Sequence, residues 1–181
     1  MYFDGVVNVS GNGAGAVIIS PEGKQYPISI KLQFNCTNNT AEYEACIHGL
    51  EAALELKIRK LEVYGDSMLI ICQIKGKWQT KDEKLRPYQE YLSKLAESFE
   101  EIKFTHLGRD KNQFTDALAT LASMAILDCG VKVHPVGIEI KSFPAHCCLI
   151  EDEVDGNPWY TDIKRFIQYQ EYPSGILKIE K

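Results

Sequence analysis

The chain has 181 residues, 45% of them hydrophobic and 25% charged, with a formal net charge of −5, enough for one core domain plus an appendage of ordinary soluble composition. No apolar run approaches the roughly 20 residues that cross a bilayer, and no basic, apolar, small-residue signal opens the chain. It therefore reads as an intracellular protein, cytoplasmic or nuclear and not secreted, and its acidity by itself argues against phosphate-rich partners.

Met1–Asn8 reads as an abrupt strand in which Asp4 stands among Tyr2, Phe3, Val6 and Val7. Asn8–Gly15, rich in Gly, Asn and Ser, reads as a turn. Ala16–Ser20 follows as a buried strand, Pro21–Gly23 as a second turn and Lys24–Leu32 as a third strand, an antiparallel meander. Thr37, Asn38, Asn39 and Thr40 are helix-capping types. Tyr43, Ile47, Leu50 and Leu54 recur at helical spacing, which predicts a helix from about Thr40 to Lys57. A short strand is expected at Leu61–Tyr64, then helices at Ser67–Ile74 and Glu83–Phe99, the second with Leu85, Tyr88, Leu92 and Leu95 on one face. Ile102–Leu107 reads as a fifth strand and Asn112–Ala125 as a last helix with Ala117, Leu118, Leu121 and Met124 inward. This order predicts an α/β fold with a mixed five-stranded sheet, three antiparallel strands and then parallel crossovers, flanked by helices.

The texture changes near residue 128, so a domain over 1–127 and an irregular tail over 128–181 are expected. The tail carries Pro135 and Pro144, an acidic stretch at Glu151–Pro158 and a short amphipathic stretch at Tyr160–Tyr169. The six cysteines contain no C-x-x-C pair, and Cys36, Cys46 and Cys72 lie in or beside apolar segments as reduced thiols do. His146, Cys147 and Cys148 lack the second ligand pair of a familiar zinc site.

Four carboxylates stand where structural needs seldom put them. Asp4 interrupts an apolar strand, Glu42 lies in the first turn of the first long helix, Asp66 ends a buried strand and Asp116 lies early in the last helix. Singly, Asp66 reads as a helix cap, and Glu42 and Asp116 as residues favoured by the helix dipole. Asp4 is harder to excuse, because a carboxylate inside a central strand costs several kcal/mol unless paired or metal-bound. Gathered together, the four repel one another and favour hard divalent cations, Mg²⁺ or Mn²⁺. Two such ions about 4 Å apart activate water and stabilise a leaving oxygen, which is phosphodiester hydrolysis. A second local feature offsets the acidity: Lys75, Lys77, Lys81, Lys84 and Arg86 cluster around Trp78, a pattern suited either to phosphate or to plain solvation.

Four blocks, Asp4-Gly5, Thr37-Asn38-Asn39-Thr40-Ala41-Glu42-Tyr43, Gly65-Asp66-Ser67 and Asn112-x-x-x-Asp116-Ala117-Leu118-Ala119, resemble in order the signatures of the type 1 ribonuclease H family over residues 1–127. The resemblance implies a ribonuclease H-like fold, a two-metal-ion endonuclease that cuts the RNA strand of RNA–DNA hybrids, and Asp4, Glu42, Asp66 and Asp116 as its metal and catalytic set. It also implies hybrid contacts from Gly5, Asn38, Asn39, Ser67 and Asn112, and DNA-strand contacts from Lys75, Lys77 and Trp78. Helix capping is the bland account of the asparagines and a core anchor that of Trp78. The family's loop histidine has its nearest counterpart in His106, but the loop is short here and the shorter-loop members point instead to Arg109.

Asn39–Ala45 and Pro158-Trp159-Tyr160-Thr161-Asp162-Ile163 further resemble gypsy-class long-terminal-repeat retrotransposons, which implies reverse transcriptase and integrase parts of one polyprotein as partners. An alternative is a catalytically silent retroelement remnant that only binds nucleic acid. Related exonucleases carry Asp-x-Glu on the first strand and integrases a late glutamate, and neither pattern is present here.

Overall fold

In a computed structural model that describes residues 1–78, 82–124 and 137–148, the chain opens with β1 (Tyr2–Asn8), β2 (Gly11–Ile19) and β3 (Gln25–Leu32), paired antiparallel in sequence. Then come α1 (Asn38–Glu55), β4 (Lys60–Gly65), α2 (Met68–Ile74), α3 (Arg86–Glu97), β5 (Glu101–His106), α4 (Gln113–Met124) and β6 (Ile138–Lys141). Lys81, Cys129 and the predicted tail segments Glu151–Pro158 and Tyr160–Tyr169 lie outside the described residues.

The sheet runs β5-β4-β1-β2-β3-β6 and has six strands where five were expected. The added strand, β6, pairs parallel with β3 from Ser29↔Ile138 to Leu32↔Lys141. Its four residues are too few for alternation to declare a strand, and the open edge of β3 supplies the partner. β1 and β4 also pair parallel, Phe3↔Gly65 being the last rung. Asp4 and Asp66 each follow that rung by one residue, so the register brings them side by side where β4 stops and β1 continues.

The glycine-rich turn predicted over Asn8–Gly15 is in fact mostly strand, with the reversal confined to Val9–Ser10. Added Cβ atoms at Gly13 and Gly15 would lie 2.0 Å from Ala119 O and 2.6 Å from Thr115 O, so this stripe of β2 is bare to let α4 lie directly on the sheet. Alternation turns the intervening Ala14 and Ala16 to the opposite face, where α1 packs. The seat takes mostly small side chains, which corrects the predicted face of α4 at three of its four residues and keeps Leu118. Thr115, Leu118, Ala119, Ala122 and Ser123 point inward, whereas Ala117, Leu121 and Met124 are exposed.

The core lies mainly between α1, α3 and the sheet, with Phe3, Tyr43, Ile47, Leu50, Ile70 and Leu92 among its buried members. Thr37 caps α1 by accepting the Thr40 N–H at 3.2 Å. Pro87, in the first turn of α3, agrees with a helix that starts at Arg86 and not at Glu83.

Candidate active site

A cavity of about 300 Å³ opens at the end of β1 and β4, lined by Asp4, Gly5, Val6, Val7, Asn38, Glu42, Asp66, Arg109, Gln113 and Asp116. The four acidic residues singled out in the sequence thus converge on one space. Gly5 makes that possible. A Cβ there would stand 2.2 Å from Ala41 C and 2.2 Å from Glu42 N, so only a glycine lets the start of α1 press against β1 and carry Glu42 in. With α1 beginning at Asn38, Glu42 is its fifth residue and no acidic residue lies in its first turn, which removes the dipole explanation for Glu42. Asp116 does lie in the first turn of α4 and is exposed at the cavity rim.

Each inner carboxylate is braced from a different side. Ser67 Oγ donates to Glu42 Oε2 at 2.5 Å. Asn112 Nδ2 donates to Phe3 O at 2.9 Å and to Asp66 Oδ1 at 3.3 Å, and the Thr115 hydroxyl donates to Asn112 Oδ1 at 2.5 Å. Arg109 Nε stands 3.6 Å from Asp66 Oδ2, with its own side chain 93% exposed. The Gly5 N–H donates to Asp4 Oδ1 at 2.8 Å. Among the described residues, no group of three or more His, Cys, Asp and Glu side chains stands in ion-holding geometry. The carboxylates share the cavity while Asp4, Glu42 and Asp66 each lean on a partner of their own.

Their electrostatics are those of crowded anions. Asp4 is 8% exposed, and its carboxyl is pushed up to about 7, by burial first and then by Asp66, Asp116 and Glu42, against the opposing Gly5 N–H. Burial also raises Glu42, an effect that the Ser67 hydroxyl and the Arg109 charge resist.

The family profile described as reverse transcriptase-like matches residues 2–122. Ribonuclease HI of Halobacterium salinarum is 36% identical over 123 residues, 67% of this chain and 62% of that protein. The crystal structure of ribonuclease H1 from that organism superposes with a TM-score of 0.60 at 35% identity, covering 67% of this chain and 93% of the other. This chain belongs to the reverse transcriptase-like family of ribonuclease H-like domains. Also similar are the N-terminal ribonuclease H domain of Mycobacterium tuberculosis Rv2228c, solved as a maltose-binding-protein fusion (TM-score 0.59, 30% identity, 67% and 89% covered), and LC11 ribonuclease H1, solved in complex with an RNA/DNA hybrid (TM-score 0.57, 28% identity, 66% and 92% covered). The chain spans about three fifths of the full-length halobacterial relative.

Within this ribonuclease H-like frame, several predicted contact residues have other duties. Asn112 is 2% exposed and spends its amide on Phe3 and Asp66. In that position it is an internal tether. Ser67 is likewise buried and its hydroxyl is given to Glu42. Asn38 lines the cavity and accepts the Val7 N–H at 3.1 Å, tying α1 to β1, while Asn39 is exposed beside it. His106 Nε2 is 3.2 Å from Asp66 O, and Arg109 alone of the two basic candidates lines the cavity.

Lys75, Lys77 and Trp78 are exposed. They follow a Schellman end to α2, with Gly76 at φ 69° and Lys77 N–H donating to Cys72 O at 2.9 Å. Trp78 is 48% exposed, which rules out the core-anchor account. Sequence reasoning missed Gln113, which faces the cavity from the first turn of α4, and Thr115, which buttresses Asn112. The three-residue spacing of Gln113 from Asp116, and of Thr115 from Asn112, was the available signal.

Among the described residues, no helix is long and apolar enough to cross a membrane.

Proposed function

We propose that this chain is a metal-dependent endonuclease that hydrolyses the RNA strand of RNA–DNA hybrids. The observation that carries the reading is the convergence of Asp4, Glu42, Asp66 and Asp116 on one cavity. Carboxylate oxygens are donors suited to Mg²⁺ or Mn²⁺, and an Asp4 carboxyl pushed up to about 7 by burial and then by its acidic neighbours has electrostatic room for cations. The residues present therefore fit such ions, with Asp4, Glu42, Asp66 and Asp116 as their holders. When bound, two divalent ions supply charge neutralisation and polarisation of water and phosphate.

The protein's own groups do the rest. Ser67 keeps Glu42 turned toward Asp66, and Asn112 keeps the β1 and β4 ends together. Arg109 offers an exposed positive charge at the mouth, suited to a scissile phosphate or a departing product. Asn38, on the cavity wall, and Asn39, exposed beside it, would offer their amides to a shallow minor groove, in which a 2′-hydroxyl tells RNA from DNA. Lys75, Lys77 and Trp78, each exposed, would meet the paired strand. The hybrid recorded with LC11 ribonuclease H1 supports this choice of substrate. The Asn39–Ala45 run supports a place within a reverse-transcribing polyprotein, beside reverse transcriptase and integrase parts.

The test is cleavage of a fluorescent RNA strand paired with DNA, with and without Mg²⁺ or Mn²⁺, beside RNA duplex, DNA duplex and single-strand controls. Metal-dependent cutting of the RNA in the hybrid alone is expected. Preferential cutting of duplex DNA overturns the substrate, and a folded protein that binds hybrid but never cuts leaves the silent remnant.

A further inference from the structure

The residues that the family profile does not match include a short segment, 137–146, that belongs to the same compact unit as the cavity. Its first part is β6, on the edge of β3, where the Gln33 N–H donates to Lys141 O at 2.9 Å. Its second part turns beneath α1. There Ala145, itself buried, donates its N–H to Glu44 Oε1 at 2.9 Å.

Glu44 is 0% exposed, and a carboxylate so buried must be answered by donors or a counter-charge. Its other oxygen lies 3.2 Å from His48 Nε2, a charge pairing in which the N–H is not aimed at the oxygen. His48 Nδ1 is 2.7 Å from Glu51 Oε2, and Glu51 Oε1 accepts the Tyr91 hydroxyl of α3 at 2.7 Å. A second line of contact runs beside the first. The His146 ring meets Tyr88 edge-on at 4.4 Å, and Tyr88 lies 5.7 Å from Tyr43. Tyr43, between Glu42 and Glu44, donates its hydroxyl to Gln73 Oε1 of α2 at 2.5 Å.

Glu42 and Glu44, two residues apart on a helix, point to nearly opposite sides. The cavity grips this turn of α1 on one side and the segment grips it on the other. We propose that Gly137–His146 is a strap that positions α1, and thereby Glu42, from behind. The functional half of this inference rests on the nuclease reading, but the mechanical half does not. Without the strap, Glu44 keeps only His48 among the described residues, and α1 is left to Asn38 on Val7, Ser67 on Glu42, Tyr43 on Gln73 and its packing in the core.

Ala145→Pro breaks the decisive contact, both by removing the donor and by setting a ring methylene against Glu44 Oε1. It follows Pro144, suits the first position of a helical turn, and removes the N–H without adding a charge. Amide hydrogen exchange is read at Gln33 and across Asn38–Ile47, together with kcat and KM for hybrid cleavage. The loss of one buried, charge-assisted hydrogen bond predicts exchange about tenfold faster or more in both regions, with kcat lowered and KM little changed. Glu44→Gln keeps the acceptor for Ala145 and retains most of the protection at Gln33.

Faster exchange at Gln33 with Asn38–Ile47 unchanged overturns the strap as a positioning element. If Ala145→Pro does not fold, wild-type native-state exchange decides. Opening free energies of Gln33 and the start of α1 that coincide support the strap, and a Gln33 that opens freely while α1 stays closed overturns it. Exchange does not depend on activity, so failure of the nuclease reading is distinguishable from failure of the strap.

Discussion

The Ser67 hydroxyl donates to Glu42 Oε2 at 2.5 Å, so the residue that follows Asp66 sets the carboxylate that α1 brings to the cavity. This bond crosses from the β4–α2 junction to α1, and it opposes the upward push of burial on Glu42. Removing it frees Glu42 to turn away from Asp66.

Ser67→Ala is therefore expected to lower kcat for hybrid cleavage by about tenfold, while costing no more than about 1–2 kcal/mol of stability. Ser67→Thr, which keeps the hydroxyl, recovers most of the rate. Steady-state kinetics beside urea denaturation checks this, and an alanine variant as fast as wild type contradicts the positioning role.

Asp4 makes the fold pH-sensitive in a definite direction. Its carboxyl is raised from 3.8 to about 7 in the folded chain. The folded state therefore holds a proton that the unfolded state has released, and metal-free stability falls as pH climbs through that interval. Asp4→Asn removes the penalty and is expected to be more stable than wild type at pH 8 without metal, by roughly 1–3 kcal/mol after allowance for solvent screening. The same variant loses cleavage by about 10³-fold or more and much of the stabilisation that Mg²⁺ confers on wild type. Melting curves with and without Mg²⁺ decide, and a variant less stable than wild type at pH 8 contradicts the crowding argument.

His48 titrates in a separate window. Burial pushes its imidazole down, but the flanking Glu44 and Glu51 outweigh that and carry it up to about 9 from 6.5. Around the three lie Tyr91, whose hydroxyl bonds to Glu51, Lys141, whose charge acts on Glu51, and Cys36 and His146, on which the charge of Glu44 acts. A base whose pKa rises on folding contributes stability that is whole below 6.5 and lost as pH passes about 9. His48→Gln flattens that slope and costs about 2–4 kcal/mol at pH 7, because Glu44 is left buried without a cation. Denaturation midpoints from pH 6 to 10 test both statements.

Gly13→Ala places a methyl 2.0 Å from Ala119 O and 2.7 Å from Ser123 N. Backbone does not yield as a side-chain tip does, so α4 must lift from β2. A loss of about 1–3 kcal/mol or more is expected, with Asp116 displaced and activity reduced in step. A fully stable Gly13→Ala protein shows that α4 does not sit on β2 as described.

The helices and most strands were legible because periodicity is local, as were the four carboxylates, each out of place for its own segment. The outward face of α4 misled because large apolar residues normally mark a core, whereas here Gly11, Gly13 and Gly15 of β2 demand a small-residue face. Ser67 was legible as a site residue and Asn112 as one resembling a family asparagine that supports the site, but the partners they tether were not. Burial is a property of neighbours from β1, β4 and α1 that are far away in the chain.

By itself the sequence determined which residues carry unusual charge, where the helices run and which family blocks stand in order, since these depend on residue type and spacing along the chain. The tertiary structure alone decided that Asp4 and Asp66 become neighbours, through the Phe3↔Gly65 register. It alone decided that Glu42 reaches them over the bare Cα of Gly5, and that β6 adds a sixth strand. Each of these is a long-range pairing, and its energy depends on a partner that no local pattern contains.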